Sequence, residues 1–317
     1  MSEQQPTPRA KRDGKRPALR VVPEVDVHPS PKLPSIGELI GDVESRLGEL
    51  RGYVSRRLRG QYDVDDFGFD ADFTENVWLP ILRPIFQHWF RVEVRGAHHL
   101  PTDDGALIVA NHSGTIPIDG LMTQVGVFET TGRHLRLLAA DLVFASPMLG
   151  VVARQSGATM ANPYDAEHLL GDGHLVAVYP EGFKGVGKPF GQRYQLQRFG
   201  RGGYVTAALR AGTPIVPCAI IGAEEIYPKI GDIKLLARLL GFPYFPVTPF
   251  FPWFGLFGAI PLPTKWIIEF GAPIGLDGYE ASDADDPAVV FEISDQVRET
   301  IQQSLYSLLA DRGNIFW

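Results

Sequence analysis

In the string ALIVANHSGTIPIDG an apolar run ends in Asn111-His112, passes a glycine-containing turn and enters a proline-initiated helical pattern carrying Asp119, seven residues after the histidine. Neutral imidazole takes up a proton near neutral pH, and a carboxylate at its other nitrogen fixes the tautomer, so the pair suits proton removal from a hydroxyl. Taken alone, the same residues would also serve as a loop cap and as an acid in the first turn of a helix, where the dipole favours negative charge. A second apolar run, LVAVY, delivers Pro180-Glu181-Gly182. The 42 residues from Gly182 to Ala223 contain no acid and six cations: Lys184, Lys188, Arg193, Arg198, Arg201 and Arg210. Gly185, Gly187, Gly191, Gly200, Gly202 and Gly203 interleave with them and would let backbone N–H groups approach a phosphate, aided by a helix start near Gly202. A solvated basic loop is the other reading of that stretch.

Both features stand where an apolar run ends, and the surrounding pattern says what those runs are. Short β-rich segments, RVEVRG, ALIVAN, LRLLAA, LVAVY, PIVPCAIIG and WIIEFG, alternate with helical patterns beginning near Pro117, Pro147, Asp165 and Gly202. This alternation predicts an α/β fold with a mostly parallel central sheet flanked by helices. Ligands of open α/β sheets gather at the carboxyl ends of strands, which is where His112 and Glu181 fall. N-terminal helices are expected from Ser35 to Arg59, with Ile36, Leu39, Ile40, Val43, Leu47, Leu50 and Val54 at helical spacing, and from Glu75 to about Trp89. The basic end of the first, Arg56, Arg57 and Arg59, suits packing on the domain or an anionic lipid surface. Asp286-Pro287 supplies the cap and first turn of a C-terminal helix over 286–311, with Val290, Ile293, Val297, Ile301, Leu305 and Leu308 on one face. The organisation is a disordered basic tail over 1–33, a helical segment over 34–90 and an α/β domain over 91–317.

The 317 residues carry 30 Lys+Arg and 37 Asp+Glu, a net charge of −7, and are 44% hydrophobic, enough to bury a large core. The acidic balance gives no support to nucleic-acid binding. A lone cysteine, Cys218, excludes a disulfide framework, fits a reducing compartment and, inside PIVPCAIIG, reads as strand packing rather than a nucleophile. No Gly-x-Ser-x-Gly elbow occurs, and no His/acid spacing suggests a metal. The acid-rich QYDVDDFGFDADFTE, counted as a calcium loop from Asp63, has Phe67 and Thr74 where oxygen ligands belong, and reads as a solvated, aromatic-anchored connection. The basic run from Arg9 to Arg20 is followed by VVPEVDVHPSP and not by an apolar stretch, so no signal peptide is expected. Residues 239–264 are uncharged, but six prolines exclude a spanning helix and leave Trp253, Phe254, Phe257 and five other aromatics for an interfacial contact or a packed core. The expectation is a cytoplasmic protein, peripherally associated with the membrane through 239–264, its oligomeric state open.

In order and spacing these blocks resemble the glycerolipid (lysophospholipid) acyltransferase family, the 1-acylglycerol-3-phosphate acyltransferase superfamily, over roughly residues 90 to 275. The family's first block, Asn-His, four residues and Asp, is matched by Asn111, His112 and Asp119 with six residues between the last two. That longer spacing, with its embedded proline, is closer to the monoacylglycerol-acyltransferase-like branch. Pro180-Glu181-Gly182-Phe183-Lys184 resembles the third block and Ile215-Val216-Pro217 the fourth; the second, commonly ending in arginine, has Arg154 early and Asn162 where the basic residue would stand. The resemblance implies direct acyl transfer from acyl-CoA or acyl carrier protein, a co-substrate with no cofactor or metal, to a hydroxyl of a glycerolipid or lysophospholipid. It implies His112 as general base held by Asp119, and Asn111, Ser113 and Gly114 in the substrate site, with Ser113, Gly114 and backbone amides as candidate oxyanion donors. Glu181, Gly182 and Lys184 would bind the acceptor, and Lys188, Arg193, Arg198 and Arg201 its phosphate or those of CoA. Lys184 in place of arginine keeps the charge but loses the bidentate fork. A noncatalytic lipid or acyl-CoA binding protein and an acyl-thioester hydrolase are the other functions these residues allow.

Overall fold

The computed structural model describes residues 48–316 apart from 113–115 and 201, so the tail over 1–33 and the start of the helix expected from Ser35 lie outside the described residues. Among the described residues nine strands follow in chain order: β1 (Glu93–Arg95), β2 (Ala106–Ala110), β3 (Leu135–Ala139), β4 (Ala158–Met160), β5 (Leu175–Val178), β6 (Ile215–Ile221), β7 (Gly231–Asp232), β8 (Pro246–Val247) and β9 (Ile267–Phe270). Seven of them form one sheet in the order β1-β9-β6-β2-β5-β3-β4, while β7 and β8 make a separate antiparallel pair. The five strands from β6 to β4 are mutually parallel, β9 runs antiparallel to β6, and β1 is parallel to β9. Each β-rich run of the sequence becomes a strand of this sheet; β4, three residues after Gly157, is too short to announce itself by pattern.

The helices are α1 over 48–58, α2 from Ala71 to Trp89, α3 (Ile118–Thr131), α4 (Asp141–Ala145), α5 (Pro147–Gln155), α6 (Pro163–Gly171), α7 (Phe183–Val186), α8 (Gly203–Ala211), α9 (Lys234–Leu240) and α10 (Pro287–Asp311). Helix α2 alternates α-helical turns with π-helical turns over Thr74–Trp78 and Ile85–Trp89. β2 sits between β6 and β5 with helices on both faces, and all five of its residues are buried, which is why it reads as an unbroken apolar run. Leu107 and Val109 face a core completed by α6, α8 and the predicted stripe of α10, Val290 to Leu308. Ile108 and Ala110 face a second core built with Leu79, Leu82 and Phe86 of α2 and Met122 and Val125 of α3. The α10 cap is as expected, with the Asp286 carboxylate accepting from Ala288 N at 2.8 Å.

The acid-rich connection is anchored by its aromatics and exposes Asp63 and Asp66 as expected, but its other three aspartates are a correction, because they are paired rather than left to water. Asp65 pairs with the buried Arg136 guanidinium at 2.6 Å, over which the Phe67 and Phe69 rings lie, and buried Asp70 caps α2 by accepting from Phe73 N at 2.8 Å. Helix α2 therefore starts at Ala71, four residues before the expected Glu75. Asp70 and Asp72 also take up Arg57 and Arg56, so the basic end of α1 packs on this connection.

What positions a site is the edge where the parallel strands end. The segments that follow β2, β3, β5 and β6 all leave from it, leading to α3, α4, α7 and the excursion over 226–264.

Candidate active site

The end of β2 and the start of α3 bring His112 and Asp119 together: imidazole Nδ1 donates to the carboxylate Oδ2 at 2.7 Å. Asp119 is fully buried, and its other oxygen accepts from Gly120 N at 2.9 Å, so the carboxylate has one orientation. With Nδ1 carrying the proton, the lone pair of the ring lies on Nε2, the atom required of a base. The Tyr179 ring, one residue past β5, stacks on the imidazole with centroids 4.7 Å apart. Its hydroxyl donates to Thr123, which in turn donates to the Asp119 carbonyl at 2.8 Å. Burial pushes the Tyr179 hydroxyl well up, and the Asp119 charge adds to this, so it remains a donor.

Behind the ring lies a buried ionic cluster. Glu181 Oε1 accepts the His112 backbone N–H at 3.0 Å, and its Oε2 accepts from Gln197 N at 2.6 Å. Lys188 Nζ lies 3.2 Å from Glu181 Oε2 and 3.0 Å from Glu224 Oε1, and Glu224 Oε2 accepts from Tyr194 N at 3.0 Å. Burial raises the Glu224 carboxyl to about 7, against the pull of Lys188. Asn111 pairs with the Ile220 backbone in both directions, at 2.9 and 2.8 Å, which locks the end of β2 to β6. A side chain at Gly185 would put its Cβ 2.6 Å from Glu181 Cβ and 3.0 Å from His112 Cβ, so α7 closes against the base only because that residue is glycine. This glycine serves packing, not a phosphate.

The residues expected at the site thus separate. His112, Asp119, Asn111, Glu181 and Lys188 meet, but Asn111, Glu181 and Lys188 are buried and already bonded, so they position the base rather than reach a ligand. Gly182 and Lys184 are exposed beside them, and Gly182 has the positive φ of 53° that its turn into α7 requires. Arg193 lies over Phe190 and 4.0 Å from Glu225, Arg210 pairs with Asp285 at 2.8 Å, and Arg198 is exposed. Ser113, Gly114 and Arg201 lie outside the described residues. Asn162 is the cap of α6, accepting from Asp165 N at 2.9 Å, and Arg154 lies over Phe144. Tyr179 and Glu224 belong to no motif of the sequence, and Tyr244, which stood out there only as one aromatic of 239–264, packs its ring near Gly187 and under the Lys229 ammonium. Glu224 had a readable signal, since it follows the apolar run of β6 as Glu181 follows β5.

Cys218 is buried in β6, and burial pushes its thiol far up, the opposite of an activated nucleophile. Among the described residues no group of three or more His, Cys, Asp or Glu is arranged to hold a metal ion, and no helix is long and apolar enough to cross a membrane.

An imidazole held by a buried carboxylate thus stands at the carboxyl edge of a mostly parallel sheet, the edge where ligands of open α/β proteins bind. The chain belongs to the Acyltransferase family, whose model matches residues 91–221, the span from β1 to the end of β6. An uncharacterized protein of Mycobacterium tuberculosis is 55% identical over 278 residues, 87% of this chain and 78% of that protein. The human DGAT1/2-independent enzyme synthesizing storage lipids is 30% identical over 192 residues, 60% of this chain and 55% of that protein. A crystal structure of the 1-acyl-sn-glycerophosphate acyltransferase of Thermotoga maritima aligns with a TM-score of 0.45 at 17% identity, covering 73% of this chain and 79% of that one.

Proposed function

We propose that this acyltransferase moves a fatty acyl group from an acyl thioester to a hydroxyl of a glycerolipid-like acceptor, with His112 as general base and Asp119 holding its tautomer. The observation that carries the reading is the 2.7 Å contact from Nδ1 to Asp119, which leaves Nε2 as the basic atom of a ring exposed to only a small degree. Nε2 takes the acceptor proton as the oxygen attacks the thioester carbonyl. The tetrahedral intermediate collapses with cleavage of the C–S bond, and the imidazolium returns its proton to the departing thiolate. Thiolate is a good leaving group, so orientation and proton removal suffice without an acyl-enzyme. The storage-lipid relative and the longer His-to-Asp spacing favour a neutral glycerolipid acceptor.

The test is thiol release from long-chain acyl-CoA with a panel of hydroxyl acceptors, each run with His112→Ala. Removal of the base should lower kcat by about 10²- to 10⁴-fold. Activity surviving that substitution overturns the mechanism, thiol release independent of acceptor indicates a hydrolase, and no turnover by the wild type indicates a binding protein.

Lipid contact is assigned to the excursion after β6. Trp253, Phe254 and Phe257 are 71%, 63% and 81% exposed, and Leu235 and Leu239 of α9 are exposed, each next to a cation, Lys234 or Arg238. Such an apolar and basic surface suits the interface of an anionic bilayer. Flotation with anionic liposomes should capture the wild type and lose Trp253→Ser/Phe254→Ser; equal capture removes this surface from the proposal.

A further inference from the structure

A groove of about 490 Å³, within the size range of small-molecule sites, opens between Arg198, Phe199, Gly200 and Gly202 on one side and the first three turns of α10 on the other. Its floor is Phe199, and one wall is Phe291 of α10, 55% exposed and without an aromatic partner among the described residues. Arg198 and Arg298 flank these rings. Arg198 is exposed and has no carboxylate partner among the described residues, while Arg298 lies 3.4 Å from Asp295 in a half-exposed pair that water screens. The groove exists because residue 202 is glycine: at φ 78° any Cβ would stand 2.4 Å from Val290 Cγ1, forcing α10 away from the chain entering α8. Two guanidinium groups beside a flat apolar ring provide stacking for a base and forked donors for phosphate.

The groove is joined directly to the base. Gly200 N donates to Pro180 O at 3.1 Å, and Gln197 N donates to the same Glu181 carboxylate that accepts the His112 N–H. Both ends lie on the carboxyl edge of the sheet, because α8 runs from this edge back to the start of β6. An elongated ligand can therefore run from the rings of the groove, over 197–200 and the exposed Gly182, to His112.

We infer that this groove binds the phosphorylated adenosine of coenzyme A, with the pantetheine arm lying over residues 197–200 and the thioester at His112. The inference rests on the acyl-transfer reading and deepens it, since it selects a CoA thioester over a protein-bound one and gives the nucleotide a binding site shared between the acid-free stretch and α10.

The experiment has a binding arm and a kinetic arm, both with the full chain. Calorimetric titration with adenosine 3′,5′-bisphosphate should show saturable binding, weakened at least about tenfold in Arg198→Ala/Arg298→Ala and in Phe291→Ala, the scale of one or two lost charge-assisted contacts. In kinetics, the ratio of kcat/KM for acyl-CoA to that for an acyl-N-acetylcysteamine, which has no nucleotide, should fall by about tenfold or more in the same variants. Absence of nucleotide binding by the wild type, unchanged affinity in the variants, or an unchanged donor ratio overturns the inference. If no thioester supports transfer, the acyl-transfer reading fails while the titration still decides the groove.

Discussion

Lys188 and Arg198 are ten residues apart in the same acid-free segment, and the fold gives them opposite surroundings. Lys188 turns inward to two buried carboxylates, one at the end of β5 and one beyond the end of β6. Arg198 faces solvent at the rim of a groove and makes no ion pair among the described residues, Asp295 of the same groove being paired with Arg298. The difference shows that charge counted along the chain is not charge in space: the acids that bound the segment at its two ends, Glu181 after β5 and Glu224 after β6, are brought together on Lys188 from either side of β2. An inward cation can organise a base, and an outward one can meet a ligand.

The sharpest way to break this contrast is to neutralise the inward cation. In Lys188→Met two buried carboxylates lose their shared partner, which should cost about 3–5 kcal/mol and lower Tm by many degrees. Arg198→Ala, at the surface, should change stability by less than about 0.5 kcal/mol. Urea unfolding of both measures the gap, and comparable losses would show that Lys188 is not embedded as described. Because Glu181 also holds the His112 N–H, any folded Lys188→Met should be impaired in turnover as well.

Proton linkage at Glu224 gives the next effect. Its carboxyl titrates near 7 in the folded chain, above its ordinary 4.5, because burial disfavours the charged form. The folded state thus holds this proton more tightly than the unfolded chain does. The associated stability is fully present below about pH 4.5 and is lost as pH rises through 7, at roughly 1.4 kcal/mol per unit of separation. Glu224→Gln cannot lose that proton, so between pH 6 and pH 8.5 the wild type should lose more stability to urea than the variant. Parallel pH profiles would place the titration elsewhere.

These effects also explain what was legible beforehand. Asn111-His112 and Glu181 stood out because a polar group after a buried apolar run is informative in an α/β sheet, and the stripe of α10 because six apolar residues keep one period. The partners of Lys188 were not legible, since pairing across β5, β2 and β6 is a matter of strand order that no local pattern encodes. The same holds for Asp65 and Asp70, read as solvated acids because Arg136 and Arg57 meet them only in three dimensions. The groove combined a basic segment with a helix face more than eighty residues later, and Phe291 and Arg298 gave no signal except as polar-face positions of α10.

The smallest effect concerns Lys184, which shares the outward environment of Arg198 but sits on α7, directly before Gly185, which abuts His112. It is exposed and has no carboxylate partner among the described residues, so Lys184→Gln should leave Tm within about a degree or two, as for other unpaired surface charges. Its ammonium can offer a headgroup phosphate only point-charge attraction in high dielectric, on the scale of roughly 0.2–1 kcal/mol, or a few-fold in KM. With a lysophospholipid carrying a phosphate the variant should show that few-fold rise, while a neutral monoacylglycerol should show none. Lys184→Arg should lower KM for the phosphorylated acceptor by adding a bidentate fork. Equal shifts for both acceptors would mean that the outward cation nearest the base has no part in choosing between them, and the contrast with Lys188 would then be one of burial alone.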